Sequence, residues 1–193
     1  LDKTLHDGDV FFDVGANVGI YSIYSALRNP KTKVYAFEPE YSNLNELKQN
    51  ILLNSLAKKI SPYSLALYDT TGISQLHLQD TTPGAALHSV LTQDCSKTQM
   101  GHEVVWKEGV ATITMDDFCK LSGIIPNMLK IDVDGNELKI LNGAREIFKK
   151  KEFRSIIIEM IESLPDYNGI KIFLIEQGFK LNKKFKENQI WSR

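Results

Sequence analysis

Short apolar runs alternate with stretches of helical periodicity along the whole chain. Val10-Phe11-Phe12-Asp13-Val14 is an apolar run that closes on a glycine-rich turn. A helical pattern follows over 18–27 and stops at Asn29-Pro30. Lys33-Val34-Tyr35-Ala36-Phe37 predicts a second strand, closed by Glu38-Pro39. Ser42 then fits the N-cap of a helix with Leu44, Leu47 and Ile51 on one face. A third strand is predicted over 60–67.

The rhythm changes in the middle of the chain. The turn Tyr68-Asp69-Thr70-Thr71-Gly72 and the alternation from Ile73 to Leu78 predict a hairpin with the preceding strand. Residues 80–103 are polar and aperiodic, as expected of an inserted binding loop. Strand character returns over 104–115. The α/β order then resumes with Met128 to Val133, a helix over 136–148, the apolar run Ser155 to Glu159 and a helix over 169–177 closed by Gly178. Phe179-Lys180-Leu181 and Gln189-Ile190-Trp191 suit a terminal antiparallel hairpin. Strands regularly separated by helices imply a mostly parallel sheet covered on both faces. The expectation is one doubly wound α/β domain over residues 1–193.

Composition narrows the function classes. The chain has 193 residues with 42% hydrophobic and 24% charged, so it can bury a core. Its net charge is −1, without the basic excess of a nucleic-acid or membrane-surface protein. No apolar run approaches the roughly 18 residues of a transmembrane helix. The expected partners therefore include neither nucleic acid nor membrane. Two cysteines, Cys95 and Cys119, cannot form a disulfide framework or a zinc site alone, and they read as free thiols. No secretory signal is present, although the chain opens on Leu1 rather than Met; the expected location is cytoplasmic.

Candidate chemistry gathers at strand ends, where ligands bind in such sheets. The first strand runs into Asp13-Val14-Gly15-Ala16-Asn17-Val18-Gly19. Glycines permit a tight turn and close approach of the backbone, and the helix beyond offers free N–H groups to an anion. This G-x-N-x-G run is not the dinucleotide fingerprint. An acid before it and an Asn within it suit a zwitterionic amino-acid group, with Asp13 accepting from an ammonium directly or through water. The bland reading is a tight strand–helix connection. Glu38 closes the second strand 19 residues beyond Gly19. A carboxylate there can accept both hydroxyls of a ribose, although a lone Glu is more commonly a solvated charge. Ribose and amino acid together describe S-adenosylmethionine. Its adenine would sit at Ser64-Leu65-Ala66, which points to Leu65 and Ala66.

On these residues the chain resembles a known family. Asp13 to Ile20, Tyr35-Ala36-Phe37-Glu38-Pro39, Thr114 to Phe118 and Lys130-Ile131-Asp132-Val133-Asp134-Gly135 with Glu137 are similar to the FkbM-type methyltransferases. The likeness covers nearly the whole chain, and the Lys-Ile-Asp-Val-acid-Gly run is its more specific part. Asp134 stands where the family more often has Glu, one methylene longer. The resemblance implies a class I methyltransferase fold, a Rossmann-like seven-stranded sheet with an antiparallel last strand. It implies S-adenosylmethionine as cofactor and methylation of a hydroxyl on a small molecule or glycan unit. It carries over Asp13, Gly15, Asn17, Gly19 and Glu38 as cofactor contacts.

Asp132, Asp134 and Glu159 are the candidate catalytic acids, placed at the ends of neighbouring strands to orient or deprotonate the acceptor. Such acids could alternatively hold a divalent cation, and Asp134 and Glu137 could simply cap a helix. No metal is expected. Lys130 reads as a salt-bridge partner of these acids. His77, His88 and His102 lack metal-site spacing, and His88 lies mid-loop where an acceptor would enter. Trp106 and Tyr68 could line that entrance. Two rival functions stand beside the methyltransferase: a nicotinamide-dependent oxidoreductase on a similar sheet, and a non-catalytic cofactor-binding domain.

Overall fold

Val10–Val14 (β1) is buried on both faces, as a central parallel strand must be, and its alternating side chains feed two separate cores. The computed structural model describes residues 4–86, 88–91 and 95–193. β1 lies between β2 (Lys33–Phe37) and β8 (Met128–Ile131), parallel to both. The chain first builds outward through β2 to β3 (Ile60–Tyr63). It later returns to the other side of β1 with β8, β9 (Ser155–Glu159), β11 (Asn188–Ser192) and β10 (Lys180–Phe185). The order is β10-β11-β9-β8-β1-β2-β3, and β11, the last strand, is the antiparallel one. The direction of winding reverses between β1 and β8, which makes their C-terminal ends the expected ligand crevice.

Helices α1 (Ile20–Arg28) and α2 (Tyr41–Leu53) cover one face, over Phe11, Val34, Ala36 and Ile157. α3 (Met115–Ser122), α4 (Glu137–Asn142) and α5 (Tyr167–Glu176) cover the other, over Phe12, Phe37, Ile131 and Ile156. Pro62 is tolerated because β3 is an edge strand. At the opposite edge, β10 is exposed throughout and carries Lys180, Lys183 and Lys184, which discourage further pairing.

Four expectations are corrected. The third strand breaks at Ser64-Leu65: β3 belongs to the main sheet and β4 (Ala66–Leu67) to a second, four-stranded one. The hairpin does not form, because β7 (Trp106–Ile113) inserts between β4 and β5 (Gly72–Leu78). The aperiodic 80–103 region contains a strand, β6 (Ser89–Leu91), paired with β5. The helix expected over 136–148 ends after Asn142. There Gly143 packs so closely on the Tyr68 carbonyl that a Cβ would lie 2.1 Å from the oxygen, and a 3-10 turn at Ile147–Lys149 completes the segment. The α2 cap also differs: Glu40, not Ser42, accepts from the N–H groups of Ser42 and Asn43.

Candidate active site

The turn after β1 is shaped by contact with the turn after β8. Gly15 has φ +72°, and a Cβ on it would stand 1.9 Å from the Asp132 carbonyl oxygen. Only glycine fits there, both in conformation and in space. Asn17 also takes a left-handed conformation, at φ 50°, which Asn accepts better than most residues. Its Oδ1 accepts from the Val18 N–H at 2.7 Å, closing the turn. α1 then starts without a side-chain cap, so its first turn presents N–H groups to the crevice.

Glu38 faces this turn from the end of β2. It is 5% exposed, and its carboxylate accepts from the N–H of Asn17 at 2.8 Å and of Glu40 at 3.0 Å. Burial pushes its pKa up to about 7 against these bonds, which favour the ionised form. Each oxygen retains acceptor capacity for a ligand hydroxyl.

The far side is formed by β8 and its following turn. Lys130 is buried between two acids, 3.4 Å from Asp13 and 3.4 Å from Asp132. It also donates to the Gly15 carbonyl at 3.0 Å and lies over the Tyr21 ring at 4.9 Å. Asp132 stays one-third exposed. Asp134 has φ 57°, turning the chain back toward α4. Glu137 is buried and accepts from the N–H groups of Val133 and Gly135, so it braces the turn. Glu159 lies against these acids. Burial first, then the charges of Asp132, Asp134, Glu137 and Glu187, raises its pKa to about 8.

These elements line an open cleft with a volume of about 250 Å³. Gly15, Asn17 and Glu38 line it on one side and Asp132 and Asp134 on the other. Leu65 and Ala66 line its apolar end. Three of the candidate residues stand outside the lining. Asp13 is fully buried behind the turn, accepting from Ser22 Oγ at 2.6 Å and facing Lys130. It orders the turn from beneath, with Lys130 rather than the open cleft beside its carboxylate. Gly19 takes φ +91°, a backbone conformation that favours glycine, and packs against Leu47 of α2. Glu159 sits behind Asp132 and Asp134 without reaching the lining.

Of the weaker candidates, His88 lines the cleft, while His77 is fully buried in β5 and His102 is exposed. Trp106 is exposed, and Tyr68 is buried in the core of the second sheet; neither lines the cleft. Sequence reasoning missed Asn43, Asn136 and Tyr21, all in the lining. Asn43 could have been found once Glu40 was recognised as the helix cap, because it lies in the first turn beside the cleft. Among the described residues no group of three His, Cys, Asp or Glu side chains is arranged to hold a metal ion. No helix among them is long and apolar enough to cross a membrane.

The strand order, the single antiparallel strand and a cleft at the β1–β8 switch point define the class I, Rossmann-like methyltransferase fold. Within it the chain belongs to the FkbM methyltransferase family, whose model, described as the methyltransferase FkbM domain, matches residues 13–181. Methyltransferase sdnD of Sordaria araneosa is 26% identical over 195 residues, covering 89% of this chain and 73% of the relative. The 31-O-demethyl-FK506 methyltransferase FkbM of Streptomyces tacrolimicus is 27% identical over 166 residues, 74% of this chain and 62% of its own length. The hexuronic acid methyltransferase AglP of Haloferax volcanii is 27% identical over 164 residues, 83% of this chain and 59% of its own. A crystal structure of a methyltransferase FkbM from Methylobacillus flagellatus superposes with a TM-score of 0.66 at 15% identity. That likeness covers 98% of this chain but 44% of the solved one, so the present chain spans less than half of that protein. The family match decides against the nicotinamide oxidoreductase reading.

Proposed function

We propose that this chain transfers a methyl group from S-adenosylmethionine to a hydroxyl oxygen of a small molecule or glycan unit. The observation that carries the reading is one cleft lined by Glu38 from β2 and Asp132 from β8, on either side of the Gly15 turn. Glu38 would accept from the ribose hydroxyls, and the uncapped start of α1 would take the methionine carboxylate. Asp132, with Lys130 and Asp134 beside it, would take the acceptor.

When bound, S-adenosylmethionine supplies an electrophilic methyl carbon on a sulfonium. The cleft would hold the acceptor oxygen in line with that carbon, with S-adenosylhomocysteine as the leaving group. The acceptor hydroxyl must also lose its proton. Asp132 is the base we assign, because it lines the cleft and keeps one-third of its side chain open. Asp134 extends the acidic rim, and Glu159 lies against it with its carboxyl largely protonated near neutrality. Most of the acceleration would come from holding acceptor and methyl in line. The names of two relatives, a 31-O-demethyl-FK506 methyltransferase and a hexuronic acid methyltransferase, support an acceptor that is a small molecule or glycan unit.

Calorimetric titration with S-adenosylmethionine, S-adenosylhomocysteine and NAD tests the cofactor. Micromolar binding of the first two without NAD is expected. Absence of binding in a folded sample would refute the proposal. Asp132→Asn is then expected to lower turnover at least a hundredfold while leaving S-adenosylhomocysteine affinity within a few-fold.

A further inference from the structure

One polar side chain in the cleft lining is left half-satisfied by the protein. Asn136 stands at the N-cap of α4, where an asparagine normally accepts from the free N–H groups of the helix. Its side chain makes no cap bond here. It is 3% exposed and lines the cleft together with Asp132 and Asp134.

The orientation of its amide is set from outside the cleft. Gln99 Nε2 donates to Asn136 Oδ1 at 3.1 Å. Gln99 sits in a tight turn closed by the Thr98 N–H on the His102 carbonyl at 2.8 Å, and its own N–H donates to Ser89 Oγ of β6 at 3.1 Å. It lies directly on Gly135, where a Cβ would stand 2.8 Å from Gln99 Oε1 and 3.2 Å from its Cβ. Gln99 is not in the lining itself. With Oδ1 turned to Gln99, Nδ2 is the branch left to the cleft. It has no hydrogen-bond partner among the described residues and is not one of the fully shielded polar atoms, so a ligand atom can reach it. Buried amides are seldom left without a partner in a folded protein, and in a ligand cleft the missing partner is naturally the ligand. A side-chain N–H asks for a lone pair, and on an acceptor of this kind that means an oxygen.

The surrounding charge decides what carries that oxygen. Asp132 and Asp134 share this end of the cleft, and the buried Glu137 lies behind Asp134. Lys130 is the one cation among the described lining residues, and it is divided between Asp13 and Asp132 at 3.4 Å from each. The acids outnumber it. A carboxylate on the acceptor would satisfy the Asn136 N–H but would be repelled by these neighbours. A hydroxyl or ring oxygen satisfies it without repulsion.

Building on the methyltransferase reading, we infer that Asn136 binds the acceptor through an uncharged oxygen, so that this end of the cleft selects a neutral polyol such as a sugar ring over an acid of the same shape. Asp132 takes the reacting hydroxyl, and Asn136 takes a second oxygen of the same molecule. Gln99 is the positioning residue that keeps the donor turned inward.

The test assays methyl transfer to the methyl pyranosides of glucose, galactose and mannose and to their three uronoside counterparts, which differ only in a carboxylate at C6. S-adenosylhomocysteine binding is followed by calorimetry in the same proteins. The parent is expected to methylate at least one neutral glycoside, with kcat/KM about tenfold above that of its uronoside. Asn136→Ala should raise KM for that glycoside about tenfold, with kcat changed less and S-adenosylhomocysteine affinity within about twofold. Gln99→Ala, which frees the amide to turn, should raise KM less. A uronoside used as well as its neutral counterpart overturns the inference even if every variant misfolds. So does an Asn136→Ala variant that keeps the parent KM, or one that loses S-adenosylhomocysteine in proportion, as a merely structural asparagine would. A parent that binds S-adenosylhomocysteine but methylates none of the six overturns the inferred acceptor and leaves the cofactor reading standing. A parent that does not bind it refutes the reading on which the inference rests.

Discussion

Gly15 shows how much of this site is decided by single backbone positions. Its φ of +72° disfavours any side chain, and the Asp132 carbonyl occupies the space a Cβ would need. Gly15→Ala should therefore cost at least about 2 kcal/mol, read as a lower midpoint in denaturant, and should abolish S-adenosylhomocysteine binding. A variant matching the parent in both would show that the two turns can separate freely. Glu38 makes a different prediction, one of sign. Its pKa of about 7 leaves it largely protonated at pH 6 and largely ionised at pH 8. Only the ionised form can accept from both ribose hydroxyls while keeping its bonds to Asn17 and Glu40. S-adenosylhomocysteine affinity should therefore rise several-fold from pH 6 to pH 8. Glu38→Gln should bind more weakly and lose that dependence. A parent profile that falls over this range would contradict the assigned role.

At the scale of elements, the second sheet depends on close contact with the first layer. Gly143 has ordinary backbone angles, so alanine is conformationally acceptable there, yet its Cβ would lie 2.1 Å from the Tyr68 carbonyl oxygen. Gly143→Ala should thus destabilise through displacement alone, by about 1–3 kcal/mol, with the exchange of β4 and β7 amides accelerated before that of β1. Uniform loss of protection across both sheets would argue that the two unfold as one unit. These contacts also mark the limit of what the sequence discloses. The main sheet was legible because β1, β2, β8 and β9 are local apolar runs bounded by turn residues. The second sheet was not, because β4 has only two residues and its partner β7 lies more than forty positions away. The same division holds in the cleft. Gly15, Asn17, Glu38 and Asp132 follow strand ends and could be read from spacing. Asn43 enters through a helix cap, and the 84–86 segment that its side chain holds has no period to announce it. Asp13 sits where spacing put it, but Lys130, drawn into the sheet by two acids, separates it from the cleft.

Across the whole molecule the formal charge is nearly balanced, at −1, yet the cleft is not. Asp132, Asp134, Glu137, Glu159 and Glu187 converge at the ends of β8 and β9, and Lys130 reaches toward them from the cleft lining. Burial, and then the charges of its neighbours, keep Glu159 largely protonated near neutrality, with a pKa of about 8. A positively charged ligand alters that balance. The sulfonium of S-adenosylmethionine favours ionised carboxylates, so its binding should lower the Glu159 pKa and release a fraction of a proton at pH 7.5. S-adenosylhomocysteine lacks the sulfonium and should release less. Calorimetry of both ligands in buffers of different ionisation enthalpy measures the difference directly. Glu159→Gln should remove most of it while changing affinity only modestly, because Glu159 does not line the cleft. Equal proton release by the two ligands would mean that the acidic rim does not sense the methyl donor's charge. Asp132 would then have to be judged as a base on geometry alone.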